Sequence, residues 1–271
     1  MATLTGARGG GGGRLGDRLL AGASILVYGF LYLPLAVVVL YSFGSSKIAR
    51  WPVPGWTLGW YRELLHDQEI RDGLMLSIRV GLTAAAVAIV LGTMAALAID
   101  RFAFRGKSLL RFCIVLPITL PGVVTGVALL SFFSLIGWPL SVWTITIAHA
   151  TFCVTLILNN VIARLGQISR SLEEASADLG ATPLQTFRRV TFPLILPSIV
   201  SGGVLAFTLS FDEIVVSLFL KGREATLPLV IWGRFRQGFS PEINAAATVI
   251  IAVSLAGVLL SSRLVRRGGF A

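Results

Sequence analysis

Two adjacent carboxylates, Asp212 and Glu213, interrupt an otherwise apolar run from about Leu194 to Leu220. A carboxylate inside a bilayer costs about 2.5–3.5 kcal/mol on insertion scales, so one that persists there faces a wet cavity or a partner. Neighbouring helical positions point about 100° apart, which leaves one of the pair square to a pathway. Asp212 is the first choice and Glu213 the second, the other pairing, for example with Arg79, or donating as a neutral acid. With Phe207 and Phe211 close by, such a carboxylate suits an organic cation through charge pairing and cation–π contact. The competing reading is a purely structural intramembrane pair. No catalytic or metal constellation accompanies it: H-E-x-x-H, paired-cysteine and G-x-S-x-G patterns are all missing from the sequence. His149 stands alone in an apolar run, where helix-to-helix hydrogen bonding is its ordinary role. Gly106-Lys107-Ser108 has the end of a phosphate-binding loop, but the motif needs glycine where Arg101 stands.

The second concentration of polar groups is Ser171–Pro197, SLEEASADLGATPLQTFRRVTFPLILP. Ser171 and Glu174 have capping-box spacing, and Gly180 can take the left-handed conformation that ends a helix. Thr182-Pro183-Leu184-Gln185 then offers a cap, a proline at the first helical position and a glutamine at the third. Helix, tight turn, helix is the expectation. Glu173, Glu174 and Asp178 precede the turn and Arg188 and Arg189 come after it, so a soluble partner finds both charge signs. Glu173, Arg188 and Arg189 read equally as solvated surface charge.

Glu174-Ala175-Ser176, then Gly180, then Val190 and Phe192-Pro193 resemble the EAA loop of the permeases of ATP-binding-cassette importers. The family pattern is E-A-A, three residues, G, nine residues, I, one residue, L-P; Ser, Val and Phe replace the second Ala, Ile and Leu. The resemblance implies that Glu174, Ala175, Ser176, Asp178, Gly180 and Pro193 belong to a coupling helix that inserts into a cytoplasmic ATPase. Ser210-Phe211-Asp212-Glu213-Ile214-Val215-Val216-Ser217, Thr226-Leu227-Pro228-Leu229 and Ser240 to Thr248 are similar to the spermidine/putrescine permeases of the C type. So are Trp56-Thr57-Leu58 and Trp60-Tyr61, and the likeness runs from about residue 20 to 264. It implies two ATP-binding subunits, a second and distinct permease subunit, an outer substrate-binding protein and a type I importer fold. ATP and magnesium would sit on the partner ATPase, with no cofactor on this chain. A polyamine is the implied cargo; related permeases carry opines, amino-acid derivatives, thiamine or ferric iron.

The elements that must position these groups can be read from composition. The 271 residues are 55% hydrophobic and 13% charged, with a mean hydropathy of +0.83. A soluble domain could not hide that much apolar surface, so the bilayer is the solvent. Six apolar runs reach spanning length at roughly 20 residues each: 19–43, 73–99, 112–136, about 140–162, 194–220 and 243–264. The expected class is all-α, a polytopic membrane protein of six transmembrane helices. Residues 1–18 read as a disordered tail because the glycine run cannot bury anything, 19–264 as the permease domain with coupling loop 161–193, and 265–271 as a second tail. Pro117, Pro121, Pro197, Gly122, Gly126, Gly202 and Gly203 allow bends or close helix contacts. Trp51, Trp56, Trp60 and Tyr61 read as interfacial anchors.

Charge distribution sets the orientation. The two tails, counted with Arg263 at the end of the last apolar run, and loops 100–111 and 161–193 hold 14 Lys and Arg against 5 acids; the intervening segments hold 8 against 6. The positive-inside rule places both termini and the Ser171 loop in the cytoplasm of a bacterial inner-membrane protein. The net charge of +10 therefore implies topology and not a nucleic-acid partner. Cys113 and Cys153 both fall in apolar runs and indicate no disulfide framework. An ion channel and a membrane-embedded enzyme are the readings from other classes. The first has no use for a cytoplasmic coupling loop, and the second would have Asp212, Glu213, Arg79 and His149 to work with, at no recognisable spacing.

Overall fold

The structure, a computed structural model, describes residues 12–47, 50–237 and 241–267. They form twelve α-helices: α1 (Gly12–Ser42), α2 (Gly59–His66), α3 (Gln68–Arg101), α4 (Lys107–Thr119), α5 (Gly122–Leu135), α6 (Val142–Leu165), α7 (Ser171–Asp178), α8 (Pro183–Thr186), α9 (Phe192–Phe211), α10 (Val215–Leu220), α11 (Leu227–Gln237) and α12 (Pro241–Arg267). A π-turn over Phe187–Thr191 joins α8 to α9.

The centre of the bundle is α3, α6 and α9 packed against one another. One face of α3 makes this possible: Gly73, Ser77, Gly81, Ala84, Ala88 and Gly92 recur at helical spacing and are buried. Small side chains let helix backbones approach where lipid supplies no hydrophobic drive between helices. At Gly92 a β-carbon would stand 2.6 Å from Ile157 Cβ on α6. The apolar core there contains Ile157, Leu158, Val161, Leu165, Ile195 and Ala206. α1 is different: its side chains are exposed from Asp17 to Val37, and it packs mainly on α12.

Among the described residues, four helical stretches are long and apolar enough to cross a membrane: 16–42, 68–101, 142–165 and 183–211. The expected third span is not one rod. It breaks at Leu120–Pro121 into α4 and α5, bent by 111°, because Pro121 has no N–H to continue the ladder and holds the residue before it extended; Leu120 has ψ 145°. The pair is close to α10 through Gly126, where a β-carbon would come within 2.6 Å of the Phe219 ring. The expected fifth span also ends early, at Phe211, and resumes at Val215. The sixth falls on α12, whose apolar part is Pro241–Gly257 among the described residues.

Two segments expected as polar connections are partly helical, α2 and α11, and α11 buries Leu227, Leu229 and Val230. Of the aromatic anchors, Trp51 and Trp56 are exposed. Trp60 instead donates its indole N–H to the Gly44 carbonyl at 2.7 Å, and the Tyr61 hydroxyl pairs with Ser42 Oγ at 2.6 Å. At the ends, helix already runs from Gly12, inside the segment expected as a tail, and α12 runs to Arg267. Residues 1–11 and 268–271 of the expected tails lie outside the described residues.

Candidate coupling loop and membrane-embedded carboxylates

The loop assembles from its caps. α7 begins at Ser171 as its first helical residue, so the expected capping role of Ser171 is corrected: the N-cap residue is Arg170. Ser169 Oγ accepts the Ser171 N–H at 3.3 Å, and the Arg170 carbonyl accepts from Glu174 N–H. The other end matches the expectation. Gly180 has φ +81°, and the Ala181 and Gly180 amides bond the Ser176 and Ala177 carbonyls, the two-bond closure that needs a left-handed residue. Thr182 and Gln185 cap α8 reciprocally, with Pro183 at its first position. Ser176 Oγ and Thr186 Oγ1, 3.0 Å apart, tie the two short helices together.

Pro193 accounts for the π-turn between α8 and α9. Lacking an N–H, it cannot close a bond to the Arg189 carbonyl four residues earlier, and the chain widens so that Phe192 N–H reaches Phe187 O instead. Loop and α9 thus form one continuous but locally loosened lever.

Glu173 is not a solvated charge. Its Oε1 accepts from Arg101 at 2.8 Å and from Thr191 Oγ1 at 2.6 Å, and Arg101 also pairs with Asp100 at 2.7 Å. The carboxylate therefore pins α7 to the C-terminal end of α3 and to the root of α9. Glu174, Ala175, Asp178, Gly180 and Pro193 are exposed and Ser176 half-buried, while Arg188 and Arg189 stay in solvent. Sequence reasoning missed the apolar tips, Leu179 (90% exposed) and Leu184 (73%); two leucines flanking the Gly180 turn were the signal. Knob, apolar tip and acidic flank are what a cleft on a soluble partner can hold.

At the other site the helix break separates the two carboxylates. α9 ends with Asp212 as its C-cap. Asp212 is exposed and Glu213 half-buried. Glu213 Oε1 accepts the Val216 N–H at 3.0 Å, a carboxylate set at the positive end of α10. Among the described residues neither acid makes an ion pair; Arg79 instead lines an open groove of about 680 Å³ with Glu69, Asp72, Arg223 and Glu224. The placing of Phe211 along a pathway is corrected. Its side chain is 1% exposed and lies in the core with Leu64, Leu227, Val230 and Ala245, because the last turn of α9 faces α11 and α12. Phe207 is half-buried, its ring 5.7 Å from that of Phe211.

α6 supplies the polar groups that hold these interrupted helices. Thr144 Oγ1 donates to the Leu220 carbonyl at the end of α10, Thr155 Oγ1 to Ile114 O on α4 and Arg164 Nε to Leu194 O on α9. His149, fully buried, makes the helix-to-helix bonds expected of it, 2.7 Å to Ser210 Oγ and 2.9 Å to Ser217 Oγ. In lipid such partners replace the water that freed backbone groups would otherwise need.

At the far end of α3, Arg234 of α11 pairs with Asp67 at 2.7 Å and Glu69 at 2.9 Å. Asp67 also caps α3, accepting from Ile70 N–H. Burial opposes its charge, but the Ile70 amide and the Arg234 guanidinium prevail and hold its carboxyl below the usual carboxylate range.

A helical membrane bundle with broken helices at its carboxylates and a capped knob at one end is the build of a transport permease, in which irregular backbone is tolerated where it lines a cavity. The profile of binding-protein-dependent transport system inner membrane components matches residues 88–267. The chain belongs to that family. It is 43% identical to the putrescine transport system permease protein PotI of Escherichia coli (strain K12), over 87% of this chain and 86% of that protein. It is 34% identical to the spermidine/putrescine transport system permease protein PotC of Haemophilus influenzae, over 89% and 94%. The fold is shared with a bacterial alginate ABC transporter solved with its pentasaccharide-bound periplasmic protein, at a TM-score of 0.71 and 18% identity over 93% of this chain and 94% of that one. The protein is thus a multi-pass inner-membrane permease of the ABC importer type and not an enzyme.

Proposed function

We propose that this chain imports a polyamine, putrescine or spermidine, delivered by an outer substrate-binding protein and driven by ATP hydrolysis on separate subunits. The observation that carries the cargo is the set of relatives spanning nearly the whole chain and named for putrescine or spermidine transport. The exposed Asp212 at the helix break supports it, since a carboxylate there attracts a cation. A relative 30% identical is named for 2-aminoethylphosphonate transport; that compound has one ammonium group beside an anionic phosphonate, where a polyamine is cationic throughout and suits a lone carboxylate better.

The assembly proposed has two ATP-binding subunits, which hold ATP and magnesium, and a second permease subunit. The chain crosses the membrane six times with both termini inside, the bent α4–α5 pair and α12 completing the count. Glu174, Ala175, Ser176, Asp178, Gly180 and Pro193 belong to the knob that enters the ATPase, with Leu179 and Leu184 as its apolar tip. Asp212 faces the substrate, with Phe207 near it. Glu213 serves the helix break.

The test is uptake by the complete importer in proteoliposomes, with labelled putrescine, spermidine and 2-aminoethylphosphonate. Polyamine accumulation that Asp212→Asn lowers about tenfold, a loss of about 1.4 kcal/mol, is the expected result. Accumulation of the phosphonate alone would replace the proposed cargo.

A further inference from the structure

The break between α9 and α10 is bracketed by a single side chain from a third helix. His149 Nδ1 lies 2.7 Å from Ser210 Oγ, two residues before Asp212, and Nε2 lies 2.9 Å from Ser217 Oγ, four residues after Glu213. Ser217 Oγ also lies 3.0 Å from the Glu213 carbonyl, to which its hydroxyl can donate. Imidazole and hydroxyl groups each both donate and accept, so with either ring tautomer the same contacts join α9 to α10: Ser210 hydroxyl, imidazole, Ser217 hydroxyl, Glu213 backbone. Thr144 on the same helix fixes the far end of α10 through Leu220 O, so α6 holds both ends of the short helix.

The ladder bonds of the break belong to its two flanks, Asp212 N–H on the Thr208 carbonyl for α9 and Leu218 N–H on the Ile214 carbonyl for α10. Besides the packing of α10 on α5, the imidazole links the two flanks by spanning the two serines. We propose that His149 is a positioning residue for transport: it sets the geometry of the Asp212–Ile214 break, so that Asp212 is turned to the exposed face and Glu213 inward onto α10. This rests on Asp212 being the substrate-facing carboxylate. Ser210 and Ser217 are the partners through which His149 acts.

The complete importer in proteoliposomes supplies the test, read as putrescine transported per ATP hydrolysed, together with the melting temperature of each purified variant. His149→Leu fills the same space without polar atoms, and the two serines can bond back to their own helices, so melting should hold while the transport ratio falls about tenfold. His149→Gln keeps one donor and one acceptor and should stay within about threefold of the parent. Ser217→Ala should lower the ratio alone, and its effect should be smaller in the His149→Leu background than in the parent. If His149→Leu does not reach the membrane, Ser217→Ala decides, since it leaves the imidazole and its Ser210 contact in place and removes one hydroxyl, with its contacts to His149 and the Glu213 carbonyl. An unchanged ratio in His149→Leu overturns the proposal, as does a fall in transport and ATPase activity in proportion to lost stability. Asp212→Asn run alongside separates the two claims: normal uptake by it with an uncoupled His149→Leu overturns the substrate-facing role of Asp212 and leaves His149 as the residue that sets the break, but not as one that presents Asp212 to substrate.

Discussion

At Gly180 one dihedral angle decides whether the knob keeps its shape. A β-carbon there would meet nothing within 4 Å, so the sole objection to a side chain is φ +81°. The left-handed region costs an L-residue about 1–2 kcal/mol, most for β-branched types and least for Asn. Gly180→Val should therefore leave the bundle intact and in the membrane while straightening α7 into α8; uptake should be lost and ATP hydrolysis persist, and Gly180→Asn should largely retain uptake. Normal uptake by the valine variant would remove the turn from coupling. Asp67 is the corresponding single residue at the other end of α3. Its carboxyl is held below the ordinary range by the Ile70 amide and Arg234 against the cost of burial, so its contribution is present above the unfolded pKa and fades as pH falls through the folded one. Asp67→Asn keeps the cap and removes the charge. Its melting temperature should lie below the parent's at neutral pH and the two should converge in acid; a constant gap from pH 7 to pH 3 would contradict that.

Between elements, the Glu173 carboxylate is shared by α7, α3 and the root of α9, and under the proposed coupling it is the tie that would transmit force. Glu173 and Arg101 are 21% and 16% exposed, sheltered enough for charge-assisted bonds of about 1.5–3 kcal/mol before solvent screening reduces them. Glu173→Ala should keep the knob docked, since Leu179 and Leu184 are untouched, yet slacken its connection to α3. The expected result is ATPase activity near normal with uptake reduced several-fold, the gap from the parent narrowing at high salt, where the parent's pair is itself screened; strict proportionality of the two would show that the tie only stabilises. Local capping chemistry made this element legible in the sequence: the Gly180 turn and the Thr182–Gln185 box depend on neighbours in the chain. Glu173 was not legible, because its partners lie 72 and 18 residues away and spacing carries no trace of them. The same distinction explains the spans. Hydropathy located α1, α3 and α6, but it averages over backbone geometry and so ran straight through Leu120–Pro121 and Asp212–Ile214. Phe211 reads from composition as an aromatic beside a carboxylate, and only the packing of α11 against α3 and α12 reveals it as core.

Across the molecule, α3 connects the two charged ends. Its 34 residues span about 50 Å at 1.5 Å per residue, from the Asp67–Arg234 pair to the Arg101–Glu173 pair. In the proposed mechanism, motion of the knob would pass along α3 to the groove end, and α9, tied to the same knob through Thr191 and Glu173, would carry it to the Asp212 break. Such a lever works only if its ends lie on opposite sides of the membrane, the knob inside where ATP is. That arrangement can be checked with single cysteines in a background of Cys113→Ser and Cys153→Ala, using a membrane-impermeant maleimide. Leu179→Cys should label in inverted vesicles and not in intact spheroplasts, and Arg223→Cys, at the groove, should show the reverse. Adding the ATPase subunits should then shield Leu179→Cys by at least several-fold and leave Arg223→Cys unchanged, because the apolar tip enters their cleft. Labelling of both positions from one side would place the two ends of α3 on the same face and break the lever; labelling of Leu179→Cys that the ATPase does not diminish would leave the knob with no partner to move it.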